Sequence, residues 1–246
     1  MLKITDRHFR YLMRLLSSQM FLYTEMIATN AILRGDRKRF LEFHHKEHPV
    51  GIQLGGGDPK DLATCARLAE EAGYDAINLN VGCPSPRVHA GNFGAILMKE
   101  PSLVAECVSA MKTCVNIPVT VKTRTGIGKE RDDDYLHRFI EIVSKAGCEL
   151  FIIHARNIWF DIKRPKENRQ KPVICYEMVY ELKKIFPELE IIINGDINSL
   201  EEGVNHCEHV DGVMLGRFAF HHPYELRLID QLFYQNEHAI ASREEI

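Results

Sequence analysis

Four short stretches of the chain carry residues able to do chemistry. In NVGCPSPRV, Cys83 follows an apolar run and precedes a proline, so its thiol belongs to a loop and not to a helix or strand. A loop thiol at the rim of a site can be a nucleophile, a redox group or a proton donor, and the spacing leaves the three open. In VTVKT, Lys122 interrupts an apolar run. Burying an ammonium is costly unless an anion or partner compensates, so a cofactor contact is expected there. His154 ends the apolar run FIIHA, where a satisfied core imidazole and a ligand contact are both open readings. The stretches IIINGD and VMLGR set Gly195, Gly216 and Arg217 at two run ends. Glycines that let backbone N–H groups approach, with one guanidinium beside them, suit a phosphate; the alternative is two tight turns.

These residues sit at the ends of recurring apolar runs. The runs at 21–27, 50–54, 76–80, 119–123, 150–155, 191–194 and 212–216 are β-rich and nearly apolar throughout, as in parallel strands covered on both faces. Amphipathic helical patterns separate most of them, at 58–73, 101–115, 133–147, 176–186 and 199–207. The first of these has Asp58 as N-cap, Pro59 in the first turn and Gly73 at the C-terminal end. Alternating β/α order implies either a (β/α)₈ TIM barrel or an open doubly wound sheet. An open sheet that binds a dinucleotide would carry GxGxxG after a strand, and none occurs. Polar or glycine residues instead close successive runs: Glu25, Gln53, Asn80 to Cys83, Lys122 with Arg124, His154 with Arg156, Asn194 with Gly195, Gly216 with Arg217. In a barrel these ends converge on one face, where active sites lie. The expected fold class is therefore α/β, a (β/α)₈ barrel. With seven runs found, the first of eight strands is expected to be largely missing, only residues 1–4 remaining for it.

Composition agrees with a folded enzyme. The chain has 246 residues, 45% hydrophobic and 26% charged, with a net charge of −3, so no overall basic field exists and any polyanion must meet a local patch. Seven cysteines without CxxC spacing indicate neither a disulfide framework nor a zinc site, and no metal is expected. No apolar run is long enough to span a bilayer and no secretory signal opens the chain, so a cytoplasmic protein without membrane contact is expected. Basic groups cluster at 34–39, at Arg87 and along 163–171.

The ordered set VGIQLGGGDP, NLNVGCPSPRV, VTVKTRTGI, FIIHAR, PKENRQKP, IIING and DGVMLGR, with TDRHFRYLMRLL and LYTEM before it, resembles the tRNA-dihydrouridine synthases. The resemblance is nearest to the subfamily that reduces D-loop uridines 20 and 20a. It implies an FMN-binding barrel that uses NADPH as reductant and tRNA as partner. Carried over, it makes Cys83 the proton donor and places Asn80 near the target base. Gln53, Lys122, His154, Asn194, Gly195, Gly216 and Arg217 match flavin-binding positions. Met1 falls on the last residue of the family's Ala-Pro-Met, and Asp196 on the second glycine of its Asn-Gly-Gly, so both are expected at the flavin. Arg87, Arg124, Arg156, Lys166, Asn168 and Arg169 are expected to meet RNA.

The resemblance also implies a division of the chain. Residues 1–234 are expected to form the FMN-binding catalytic barrel and 235–246 a C-terminal tail, with the family's C-terminal helical domain absent and the protein a monomer. Ile162, Lys163 and Arg164 replace the family's Gly-Leu-Ser, which changes an RNA-facing loop. Two other readings stay open: an inactive tRNA-binding remnant of such an enzyme, and another flavin barrel such as a dihydroorotate dehydrogenase.

Overall fold

The computed structural model describes residues 1–162, 164, 166–236 and 242–244. Seven strands form one sheet: β1 (Leu22–Ala28), β2 (Val50–Gly55), β3 (Ala76–Asn80), β4 (Val119–Arg124), β5 (Leu150–His154), β6 (Glu190–Asn194) and β7 (Gly212–Met214). Their spatial order is their sequence order, and every pair is parallel. Each of the seven apolar runs thus became a strand, within one or two residues at each end. Residues 1–4 did not become an eighth. They form a turn in which the amides of Ile4 and Thr5 both donate to the Met1 carbonyl at 3.0 Å.

The strands are less uniformly apolar than their composition suggests. Alternate side chains divide by face, as the pleat requires. Ile52, Leu54, Ile77, Leu79, Val121, Phe151, Ile153, Ile191 and Ile193 are fully buried. They pack with apolar residues of the helices that cross between strands, among them Leu62, Val108, Phe139 and Leu182. The intervening positions, Gln53, Asn78, Asn80, Thr120, Lys122, His154 and Asn194, belong to the opposite, concave face. A row of polar groups is thereby fixed on strands whose outer face supplies the hydrophobic anchorage.

Helix boundaries follow their caps. The Asp58 carboxylate accepts from the amides of Lys60 (2.8 Å) and Asp61 (3.0 Å), starting the helix Pro59–Glu71, and Gly73 ends that segment at φ 94°. Asp6 caps the helix Arg7–Leu16 by accepting from the Phe9 amide at 2.9 Å. The loop after that helix is tied to the far end of the chain: Asp230 accepts from the Ser18 amide at 2.8 Å and the Gln19 amide at 3.2 Å. The helical layer therefore bridges first and last elements, although β1 and β7 are the unpaired edges of the sheet among the described residues.

The sheet curls around a cavity of about 1000 Å³. Leu22, Tyr23 and Thr24 of β1 and Gly212, Val213 and Met214 of β7 both line it, so it runs along the concave face from one edge to the other. Lysine 163 of the basic run 163–171, and 237–241 with 245–246 of the tail, lie outside the described residues.

Candidate active site

Polar groups on β2, β3 and β4 satisfy one another. Gln53 donates from Nε2 to Asn78 Oδ1 at 2.9 Å and accepts from Asn80 Nδ2 at 2.8 Å. Asn78 donates to the Thr120 hydroxyl at 3.0 Å, and that hydroxyl donates to the Ile77 carbonyl at 3.0 Å. The Gln53 amide donates to the Thr24 hydroxyl at 2.9 Å, which brings β1 into the chain of contacts. Buried amides paired in this way hold their strands in one register, because a slip would strand several donors at once.

Asn80 passes this order on to the thiol. Its Oδ1 accepts from the Gly82 amide at 3.2 Å and the Cys83 amide at 3.0 Å, which folds the chain sharply back after β3. The Cys83 carbonyl accepts from the Ala95 amide at 3.0 Å, closing the loop from the other side, and lies 3.2 Å from His89 Nε2. Gly94 explains why glycine stands there: at φ 74°, a Cβ on it would lie 2.4 Å from Val88 Cγ1 and 3.3 Å from Cys83 Cβ. The glycine lets the returning chain press against the cysteine. Burial pushes the Cys83 thiol up from its usual value, and the neighbouring Ser85 amide, Arg124 and Arg169 only partly oppose this. The thiol is therefore protonated at neutral pH.

Cations gather on β4 to β7. Lys122 donates to Asn194 Oδ1 at 2.8 Å, while Asn194 donates from Nδ2 to the Met214 carbonyl at 2.7 Å. Among the described residues Lys122 has no carboxylate partner, and burial, reinforced by Arg124, lowers its ammonium to about 7. His154 is held well below its usual value by burial, then by Arg124, Lys122, Arg156 and Arg217. Its imidazole is neutral, and its buried Nδ1 has no hydrogen-bond partner among the described residues. Asn80, Cys83, Lys122, Arg124 and His154 together enclose a chamber of about 160 Å³, and Lys122 and His154 also line the large cavity. The thiol, the lysine and the imidazole found separately in sequence thus meet in one place.

The turn after β6 supplies the outer rim. Gly195 has φ 127°, which only glycine adopts without strain, and its carbonyl accepts from Tyr176 Oη at 2.7 Å. Asp196 follows, also left-handed at φ 47°. Its carboxylate joins two arginines: Arg156 Nη2 at 2.5 Å, and Arg217 Nη2. That pairing accommodates a carboxylate beside the glycine turn. Met1, Gln53, Lys122, His154, Asn194, Gly195, Asp196, Gly216 and Arg217 all line the large cavity.

The residues expected to meet RNA divide. Arg87, Lys166 and Arg169 are exposed. Arg124, Arg156 and Asn168 are buried at 3%, 6% and 1% exposure, and their side chains bond within the protein. Arg124 donates to the carbonyls of Gly82 (3.0 Å), Asn157 (3.1 Å) and Asn168 (3.1 Å), lacing the loop after β3 to two points of the segment after β5. Asn168 exchanges hydrogen bonds with both backbone groups of Trp159 at 2.9 Å. Arg156 donates to the Arg169 carbonyl at 2.7 Å besides its ion pair. Sequence reasoning passed over Asn78 and Thr120 as members of the site. The signal was present in AINLN and VTVKT, where polar residues recur at every second position.

The model of the family described as Dihydrouridine synthase (Dus) matches residues 1–244. A tRNA-dihydrouridine(20/20a) synthase of Shewanella oneidensis is 53% identical over 246 residues, 100% of this chain and 73% of the relative. Proteins of the same name from Vibrio vulnificus and Synechocystis are 54% and 53% identical, each over 100% of this chain and over 76% and 74% of their own lengths. The chain belongs to the dihydrouridine synthase family.

Proposed function

We propose that this protein is an FMN-dependent tRNA-dihydrouridine synthase that reduces the C5–C6 bond of D-loop uridines 20 and 20a, with NADPH as reductant. The observation that carries the reading is the convergence of Cys83, Lys122 and His154 on one chamber beside a larger cavity. Seven cavity-lining residues, Gln53, Lys122, His154, Asn194, Gly195, Gly216 and Arg217, are the ones that resemble the family's flavin positions.

The residues present fit a flavin nucleotide. A cavity of about 1000 Å³ is ample for a planar cofactor with a side chain. The unpartnered Nδ1 of His154 and the uncompensated charge of Lys122 are polar groups that call for a ligand, since buried donors and acceptors are otherwise paired. Gly195, Gly216 and Arg217 would hold the phosphate, and Lys122, Asn194, His154 and Gln53 the ring. When bound, the flavin supplies the hydride that adds at uracil C6 and regains it from NADPH. Cys83 then has one task, to give its proton to C5. A thiol kept protonated by burial and flanked by Arg124 and Arg169 is suited to it, because those cations stabilise the thiolate left behind. Asn80 acts on the backbone, holding the Cys83 amide so that the side chain keeps one direction.

The target base has to leave the tRNA stack to reach the chamber. Arg34, Arg37, Lys38, Arg39, Arg87, Lys166 and Arg169 are exposed and are proposed to hold the phosphates around it. The catalytic unit is read as residues 1–234, with 235–246 a tail, acting as a monomer in the cytoplasm. The gap between β1 and β7 is read as the place of the eighth barrel strand. A second reading, tRNA binding without catalysis, is favoured only by that gap.

The test is to incubate the purified protein with FMN, NADPH and an unmodified tRNA transcript and to measure dihydrouridine. Formation by the wild-type protein and not by Cys83→Ala supports the proposal. A protein that takes up no flavin, or that binds tRNA and forms no dihydrouridine, would overturn it.

A further inference from the structure

The chain places a carboxylate where an anion site would otherwise stand open. Asp196 bridges Arg156 and Arg217, and Asp196, Arg217, Gly195 and Gly216 line the large cavity, with Arg156 buried behind them. The arginines are unlike in freedom. The Arg156 side chain is 7% exposed and also anchored on the Arg169 carbonyl, whereas Arg217 is 45% exposed. The buried arginine keeps its place, and the exposed one can turn toward another anion.

The surrounding charge is positive. Lys122, Arg124, Arg156 and Arg217 all act to depress His154, and Asp196 is the carboxylate that pairs with the outer two. The bridge also holds a left-handed non-glycine backbone at φ 47°, which aspartate tolerates better than most residues. Two guanidiniums held around two carboxylate oxygens present the geometry they would offer to two oxygens of a phosphate.

We propose that Asp196 is an intramolecular stand-in for the ligand phosphate: it preorganises the Arg156 and Arg217 pair in the free protein and competes with a phosphate for it. Asp196 then lowers the advantage that a phosphorylated flavin has over an unphosphorylated one. The inference rests on the flavin reading, and it concerns only the phosphate end of that ligand.

The experiment compares wild type, Asp196→Asn and Asp196→Gly by fluorescence titration with FMN and with riboflavin, and by thermal melting with inorganic phosphate. Both substitutions suit a left-handed position, so folding is preserved. The ratio of riboflavin to FMN dissociation constants is expected to rise about tenfold or more in both variants at low salt, with a smaller rise at high salt. Phosphate is expected to raise the melting temperature of the variants more than that of wild type. An unchanged ratio, or weaker FMN binding in the variants, overturns the proposal while leaving the flavin reading intact. If no form binds either flavin, that reading falls, and the phosphate arm alone decides: equal shifts in wild type and variants overturn the competition, and larger shifts in the variants uphold it.

Discussion

The two halves of the concave face are built on opposite principles. On β2 and β3, reaching to Thr120 of β4, Gln53, Asn78, Asn80 and Thr120 pair with one another through neutral hydrogen bonds of 2.8–3.0 Å. From Lys122 to Arg217 cations outnumber the one carboxylate, Asp196, and His154 Nδ1 and Arg156 Nε are buried without partners among the described residues. The first half is largely paired within itself, although Gln53 and Thr120 still line the large cavity. It resembles a structural network, whose worth is that the Cys83 loop emerges from it in one conformation. The second half is incomplete as it stands, which is the condition of a surface shaped for an anion or a polar ring. Rigidity is thus concentrated on β2 and β3 and unpaired polar groups on β5 and the loop after it, and substitutions should separate the two.

The largest effect is expected where the ordered half ends. Cys83→Ala removes the proton donor without touching the cationic half, so dihydrouridine formation should fall about 10²- to 10⁴-fold in single-turnover assays while FMN titration is unchanged. Loss of flavin binding in this variant would show that the halves are not separable. Next comes Arg124→Met at the junction between them. Three loop carbonyls lose their donor together, and the expected loss is about 2–4 kcal/mol of stability, read as a lower urea midpoint. An unchanged midpoint would mean that the loops hold without Arg124.

How much of this was legible in sequence depends on the range of the contacts. The seven strands were legible because each is a short apolar run bounded by turns, and strand formation follows local pattern. Cys83 stood out because NVGCP puts a thiol beside residues that suit neither helix nor strand. The roles of Arg124, Arg156 and Asn168 were not legible: a sequence shows a cation near a strand end but not whether loops 33–44 residues away will cover it. The ion pairs of Asp196 were not legible, since its partners lie 40 and 21 residues distant. Asn78 was overlooked although its period-two spacing with Asn80 was visible, because the runs were taken as apolar on both faces. Residues 1–4, expected as the remnant of a strand, turn back on themselves.

Lys122→Met tests the cationic half by itself. In the flavin-free protein Lys122 faces a neutral partner, Asn194, and a like charge, Arg124, so removing its ammonium should relieve more than the lost hydrogen bond costs. The variant is expected to gain about 1 kcal/mol, a rise of about 2–4 °C in melting temperature for a chain of this size, and to bind FMN at least tenfold more weakly. A melting temperature that falls together with affinity would assign Lys122 to the structural network instead.

The smallest effect is a slope in pH, and it locates the titrating group. In the free protein Lys122 gives up its proton near pH 7, because burial lowers it to about 7. A ligand that places negative charge beside it holds that proton, so the complex binds more protons than the free protein at pH values above 7. FMN affinity must then fall as pH rises from 7 to 8, by no more than tenfold per unit. The FMN phosphate adds no slope there, since its second ionisation lies near pH 6 and is nearly complete. His154 adds none either, being held well below its usual range and neutral throughout. Cys83 keeps its proton across the window, because burial raises it. Lys122→Met should therefore give a flat profile where wild type slopes downward; a slope surviving in the variant would move the charge-sensitive contact away from β4.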